Sequence, residues 1–415
     1  MRLAFYGDDF TGSTDAMESL SLAGLRTRLF LAPPEPGGLE GIDAVGVAGG
    51  SRAMTPEQME ACLTPALESL RALSPGIVHY KICSTFDSSP TRGSIGRAIE
   101  IGRAVFGDHP VPVLAGAPGL GRYCAFGNLF ARSGLDSPIY RLDRHPTMSR
   151  HPVTPMHEAD LRVHLAAQTK LSAALVDVLD LESADVESRY DAKSAGHGIV
   201  LLDVLGGAHL PILGRLLDRG APFVVGSSCV GYALTSHWGA VPRAYPLPEP
   251  AAQVLVVSGS CSPVSNRQTE YALQAGFDEV PLAPGRRDFE AALTDTVRLL
   301  RAGRSVIANT CRGPEDPRLD PSLDGHEIGN TLAAFLNAVL AAQPVKRAVV
   351  VGGDTSAFVG SRMGIESLEM IARIEPGGPL CLAHGSGPAD GLEIVFKGGQ
   401  VGSIDYLERV KGTTR

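Results

Sequence analysis

The sequence predicts an α/β protein of two domains, each with a mostly parallel sheet flanked by helices. Three observations carry that expectation. Short apolar runs alternate with longer amphipathic ones from the first residues on, the pattern of strands that return to one sheet through helical crossovers. At 415 residues the chain exceeds what one hydrophobic core usually supports. Prolines 242, 246, 248 and 250 fall close together, in a stretch that cannot join a sheet interior and takes extended linker geometry. The division expected is residues 1–240, a linker over 241–252, and residues 253–415.

The first strand is residues 2–6. It runs into Gly7-Asp8-Asp9-Phe10-Thr11-Gly12-Ser13-Thr14-Asp15, after which residues 16–20 open a helix. Residues just past the carboxyl end of a strand line the ligand crevice of an open α/β sheet. One acid there reads as an ordinary turn residue, with Ser13 or Thr14 as the helix cap. Two adjacent acids among glycines, Asp8 and Asp9, read as function. The helix closes at Ala23-Gly24, and residues 26–31 and 42–48 are the next strands, the latter ending at Gly49-Gly50-Ser51-Arg52. Residues 56–72 form a helix with Thr55 as cap before Pro56. Residues 77–82 are the fourth strand and lead into Cys83-Ser84-Thr85-Phe86-Asp87-Ser88.

Polar groups thus recur at successive strand ends: Asp8 and Asp9, then Ser51 and Arg52, then Lys81, Ser84, Thr85 and Asp87, with Arg92 beyond. Parallel strands bring them to one sheet edge. Arg52 is suited to grip a carboxylate through two parallel hydrogen bonds and Lys81 to meet it as a point charge, while the hydroxyls and Asp87 suit the alcohols of a small polyol. Each basic residue alone reads as a solvated surface charge; the recurrence argues for a site.

Residues 111–115 are a further strand, followed by a turn-rich loop over 116–122. Histidines 145, 151, 157 and 164 come next. The prolines among them break any helical face, so no i, i+4 ligand pair is presented and metal ligation is disfavoured. Thr154-Pro155 with Glu158 fits a helix start leading into residues 161–165, and residues 199–203 and 223–226 are strands, the second ending at Ser227-Ser228.

Three strand, loop, helix units mark the C-terminal half. Residues 254–257 lead to Ser258-Gly259-Ser260-Cys261-Ser262 and a helix over 263–274. Residues 348–351 lead to Gly352-Gly353-Asp354-Thr355-Ser356 and a helix over 357–363. Residues 394–396 lead to Lys397-Gly398-Gly399-Gln400-Val401-Gly402-Ser403 and a helix over 404–407. Amides bared by Gly and Ser at a helix start form an anion site. One such loop is commonplace; three point to a phosphate or nucleotide site. Neither G-x-x-x-x-G-K-[ST] nor a strand-borne G-x-G-x-x-G occurs, which disfavours P-loop and Rossmann sites. After a loop over 312–324, residues 327–340 read as a packing helix.

The formal charge of −8, with Lys and Arg scattered, gives no nucleic-acid surface. Seven cysteines without a C-x-x-C pair argue against a disulfide framework and a zinc knuckle. With no leader and no apolar stretch of membrane-spanning length, the expected setting is the cytoplasm.

The N-terminal Gly-Asp-Asp-Phe-Thr-Gly-Ser-Thr-Asp, His-Pro-Val-Thr-Pro-Met at 151–156, Ser258-Gly-Ser-Cys-Ser, Gly352-Gly-Asp-Thr and the stretch from Lys397 together resemble the four-carbon acid sugar kinase family. The resemblance runs in order over nearly the whole chain. It implies an acid-sugar-binding N-terminal domain and an ATP-binding C-terminal domain, with the active site in the cleft between them, and transfer of the ATP γ-phosphoryl to a hydroxyl of a small sugar acid. Two places depart from the family pattern. Gly7 and Phe10 stand where it usually has Ala and Leu. Its Lys-Thr-Asp-Ser-Thr-Leu-Arg-Gly stretch is here the longer Lys81-Ile-Cys-Ser-Thr-Phe-Asp-Ser-Ser-Pro-Thr-Arg-Gly93. That stretch should touch the acid, so a branched oxo-isoapionate stands beside tetronates and 3-oxo-tetronates as a candidate.

On this reading Arg52 and Lys81 hold the substrate carboxylate, with Ser84, Thr85, Asp87 and Arg92 around it, and Asp8 or Asp9 takes the hydroxyl proton. Ser258, Gly259, Ser260, Gly353, Thr355, Ser356, Gly398, Gly399 and Gln400 hold ATP with Mg²⁺, and Asp354 orients metal or ribose. The sequence names no metal ligands and leaves a homodimer open. An NAD(P)-dependent sugar-acid dehydrogenase and a non-catalytic sugar-acid-binding protein are the rival classes.

Overall fold

The computed structural model describes residues 1–133, 137–283, 288–319 and 325–413, with the backbone alone at Asp354. Residues 320–324 of the expected 312–324 loop and the Asp354 side chain therefore lie outside the described set. Contacts divide the chain into two compact units, Met1–Thr27 with Pro33–Arg243, and Arg28–Ala32 with Ala244–Arg415. The crossing from Arg243 to Ala244 falls in the proline-rich stretch. Assignment of residues 28–32 to the second unit is a departure from the expected division.

The chain opens with β1 (Leu3–Gly7), α1 (Phe10–Leu22) and β2 (Thr27–Phe30), of which Arg28–Phe30 belong to the second unit; the first unit continues with β3 (Ala44–Ala48), α2 (Pro56–Ala72), β4 (Ile77–Lys81), α3 (Ile95–Phe106) and β5 (Val111–Leu114). A small antiparallel sheet follows, β6 (Arg122–Ala125), β7 (Asn128–Arg132) and β8 (Ile139–Arg141). Then come α4 (Leu161–Ala166), β9 (Ala173–Val176), α5 (Val178–Leu181), α6 (Val186–Ser194), β10 (Ile199–Leu202), α7 (Leu210–Leu217), β11 (Phe223–Gly226) and α8 (Cys229–His237). The main strands lie parallel in the order β3-β1-β4-β11-β5-β10-β9. Leu3, Ala4, Phe5, Val78 and Val224 are all buried. Helices cover both faces of such a sheet, which is why these strands read as continuous apolar runs.

Two helix starts differ from expectation for one reason. Asp9, not Ser13 or Thr14, caps α1, its carboxylate accepting from the Gly12 amide at 3.0 Å. Asp160, not Thr154, caps α4 through the Arg162 amide. A carboxylate that takes an orphan amide fixes the start, and tertiary packing carries the poor helix formers Thr11 to Thr14 along.

The second unit contains β12 (Leu255–Ser258), α9 (Pro263–Gln274), β13 (Asp278–Pro281), α10 (Phe289–Arg301), β14 (Val306–Asn309), α11 (Gly325–Ala342), β15 (Arg347–Val351) and α12 (Gly353–Gly360). It ends with β16 (Ile365–Glu375), β17 (Gly378–Gly385), β18 (Glu393–Lys397) and α13 (Tyr406–Lys411). The order β13-β14-β12-β15-β18 is parallel. Strands β17, β16 and the Leu29–Phe30 end of β2 extend it antiparallel, a hairpin the sequence analysis did not foresee. Helix α12 starts at Gly353, so residues 353–356 form its first turn rather than a loop. No helix among the described residues is long and apolar enough to cross a membrane.

Where β15 meets β18, Arg347 faces Glu393 in register. Its guanidinium is 1% exposed, donates to the Glu393 carboxylate at 2.7 Å and also reaches the Val410 carbonyl. Removing the cation strands a carboxylate that is itself mostly buried. Arg347→Met should therefore cost about 3 kcal/mol of stability in urea titration. Lys346, 58% exposed on the same carboxylate, should cost no more than about 0.5 kcal/mol as Lys346→Ala. Equal effects would refute this account of the pair.

Candidate functional site

In the first unit the neighbours β3, β1, β4 and β11 end side by side, and their ends supply one polar cluster. Asp8 follows β1 and is 3% exposed. Arg52, in a short turn after β3, donates Nε to Asp8 Oδ2 at 3.1 Å and Nη2 to Asp8 Oδ1 at 2.7 Å. The same guanidinium donates Nη1 and Nη2 to Asp9 at 2.9 and 2.8 Å. Asp9 also accepts from the Gly12 amide and the Thr11 hydroxyl, both at 3.0 Å. Lys81, the last residue of β4, is buried, and its ion pair with Asp15 is long, 3.8 Å.

Four donors of Arg52 are thus spent on the two aspartates, so the grip on a substrate carboxylate expected of it is not available here; Lys81 keeps that capacity. Thr85 and Asp87 are tied to each other by a 2.7 Å hydrogen bond, and Thr85 also meets the Cys83 thiol at 2.9 Å. Ser84 is half-buried nearby in sequence, whereas Arg92 is exposed and donates to the Ala53 carbonyl at 2.8 Å. Two of the histidines serve locally, His145 Nδ1 accepting from the Thr147 amide and His151 Nδ1 from the Thr154 amide, while His164 Nε2 lies 3.0 Å from the Ser88 hydroxyl.

In the second unit the segments after β12, β15 and β18 converge. A Cβ on Gly259 would stand 2.5 Å from Thr355 Oγ1, and one on Gly399 would stand 2.4 Å from Ser260 Oγ. Ser258 and Ser260 turn inward, each hydroxyl accepting an amide of its own loop. The Cys261, Gly353 and Gly399 amides donate no hydrogen bond to another described residue. Gln400 is exposed at the rim. Ser356 is fully buried, so its hydroxyl does not reach the cradle as expected; its place in the first turn of α12 turns it into the core.

Residues 3–234 match the family model of a sugar-binding N-terminal domain, and residues 255–407 match that of a nucleotide-binding C-terminal domain. A 3-oxo-isoapionate kinase of Paraburkholderia graminis is 44% identical, covering 99% of this chain and 94% of its own. The chain belongs to the four-carbon acid sugar kinase family. It is a sugar-acid kinase by that membership. A 3-oxo-tetronate kinase of Methylobacterium radiotolerans is 32% identical over 99% of this chain and 98% of its own. A solved Salmonella typhimurium structure described as a putative tRNA synthase shares the fold, with a TM-score of 0.83 at 24% identity over 99% of this chain and 98% of that one.

Among the acids of the first-unit cluster, Asp8 is the buried one. Burial pushes its carboxyl up from the usual carboxylate range, and Arg52 and Lys81 pull against that shift. Asp15 was not foreseen; it pairs with Lys81 and accepts from the Ser228 hydroxyl, and the signal was its place about two helical turns beyond the Asp pair. The sequence analysis also missed a cavity of about 500 Å³ beside α9, walled in part by Asn266, Arg267 and Arg312. Asn266 Oδ1 and Arg312 Nε in that wall are buried and find no hydrogen-bond partner among the described residues.

Because Arg52 lowers the Asp8 pKa, Arg52→Met should raise it further. The acid limb of the kcat/KM profile should move to higher pH, with turnover falling more at pH 6 than at pH 8. A limb that stays in place would mean that Asp8 is not the group titrating there.

Proposed function

We propose that this enzyme transfers the γ-phosphoryl group of ATP to a hydroxyl of a branched acid of the 3-oxo-isoapionate type. The observation that carries the choice of acid is the 44% identity over 99% of the chain to a 3-oxo-isoapionate kinase, against 32% to a 3-oxo-tetronate kinase. The lengthened stretch from Lys81 to Gly93 supports it, since that stretch is the one expected to touch the acid.

Lys81, buried and loosely paired, meets the substrate carboxylate. The hydroxyl gives its proton to Asp8, its oxygen forms the new bond to phosphorus, and the bond from phosphorus to the ADP oxygen breaks. Asp8 suits the base role better than Asp9: among the described residues its two oxygens are met by Arg52 alone, whereas Asp9 has its oxygens filled by Arg52, Gly12 and Thr11 and is committed to capping α1. Arg52 pulls the Asp8 carboxyl down against the upward push of burial and holds both carboxylates in orientation. The amides of Cys261, Gly353 and Gly399 receive the ATP phosphates.

Mg²⁺ would neutralise charge across the phosphates. Among the described residues no group of three or more His, Cys, Asp and Glu side chains is disposed to hold a metal, which suits an ion bound chiefly by phosphate oxygens and water. Its free cysteines suit the reducing cytoplasm where ATP is made, and activity in the soluble fraction of a lysate would check that setting.

ADP release, measured with 3-oxo-isoapionate, 3-oxo-tetronates, threonate and erythronate, should give the highest kcat/KM for the branched acid. Release with none of them would remove the kinase assignment to this substrate class. Asp8→Asn should lower kcat by about 10²–10⁴-fold with ADP binding kept, and Asp9→Asn should lower it less. The reverse ranking would move the base to Asp9.

A further inference from the structure

A peptide loop binds an anion through its amides only when its carbonyl oxygens, which repel the same anion, point elsewhere. In residues 398–403 nearly every carbonyl is held. Gly398 O accepts from Lys397 Nζ at 3.0 Å and from the Val401 amide at 3.2 Å. Gly399 O accepts from Ser265 Oγ at 2.7 Å. One amide nitrogen, Gln268 Nε2, lies 3.0, 3.0 and 2.8 Å from the carbonyl oxygens of Val401, Gly402 and Ser403.

Gln268 is 2% exposed and Ser265 4%. They stand three apart on α9, so they share one helix face. Three carbonyl oxygens around a single point leave the glutamine no choice of orientation, because its own oxygen would be repelled there. On the other side of the loop, the amides of Gly399, Gln400 and Gly402 donate no hydrogen bond to any described residue. The helix that begins beside Ser258–Ser262 thus also sets the polarity of the loop after β18.

We propose that Gln268 is a positioning residue for nucleotide binding: by gathering three carbonyls behind the 398–403 loop it turns the loop's free amides toward the ATP phosphates. Ser265 assists through Gly399. This rests on the reading of that loop as part of the phosphate cradle.

Titration calorimetry of the full chain with MgADP tests it, together with steady-state kinetics on 3-oxo-isoapionate. Gln268→Met keeps the length and removes the donor; Gln268→Glu keeps the shape and sets an acceptor against three carbonyls. The MgADP Kd and the ATP KM should rise about tenfold in the first and more in the second. The KM for the acid and kcat at saturating ATP should stay within about twofold. Thermal melts without nucleotide establish that the variants fold. Should neither fold, Ser265→Ala, which removes one hydrogen bond, should give a smaller rise in the same two quantities. Unchanged MgADP affinity in a folded variant overturns the proposal, as does an equal loss in the acid KM and kcat. Wild-type protein that fails to bind MgADP would instead overturn the phosphate reading of the cradle, and the two failures are told apart by that first titration.

Discussion

The first unit is organised around one guanidinium shared by two adjacent carboxylates. Asp8 is buried and Asp9 caps a helix, so neither can turn away from the other, and two like charges in that setting oppose joint ionisation. Arg52 answers this with its planar fork, one edge to each acid. A lysine could not do so, having no two-edged geometry. The arrangement ties the end of β1, the start of α1 and the turn after β3 into one rigid body. It also leaves Lys81 as the cation with capacity to spare.

That arrangement depends on parallel register. Gly7 of β1 aligns with Ala48 of β3 and with Lys81 of β4, and Gly226 of β11 aligns with Lys81 in turn. Every strand therefore delivers its next residue to the same edge, which is why Asp8, Arg52, Lys81 and Ser228 meet although more than two hundred residues separate the first from the last. An antiparallel neighbour would have sent its loop to the far edge. In the second unit the same rule brings together the segments after β12, β15 and β18, and there the delivered groups are peptide amides.

The parallel core was legible because strands buried on both faces read as unbroken apolar runs, as in residues 77–81 and 223–226. Side-chain bonding was not legible. Nothing in the string says that Arg52 turns to Asp8 and Asp9 rather than to a ligand, because that choice depends on spacing across three strands. The hairpin of β16 and β17 was missed for a different reason. Its strands are irregular, with register shifts between Met370 and Ala372 and between Ala372 and Glu375, so the alternation that marks an antiparallel pair is interrupted. Residues 353–356 were read as loop because Gly-Asp-Thr-Ser is turn composition; the chain instead begins α12 there, and first-turn amides are open to an anion just as loop amides are.

The two units differ in how tolerant of change their recognition can be, and the difference follows from what does the recognising. A phosphate held by amides is read by backbone shape, which many side chains leave intact provided the close approaches at Gly259 and Gly399 survive. On the function proposed, the acid is read by side chains on the loop after β4, whose course is set by Phe86. That residue takes a left-handed φ of 59° while fully buried, its ring edge-on to His164 at 5.8 Å. A bulky residue there costs backbone energy, and burial of the ring offsets it. Cys83 and Thr85 lie on one side of that turn and Asp87 on the other, so the strained residue fixes how the Thr85–Asp87 pair is presented. Change in substrate among such kinases is therefore expected to concentrate in this loop, where an inserted residue redirects several polar groups at once without touching the cradle.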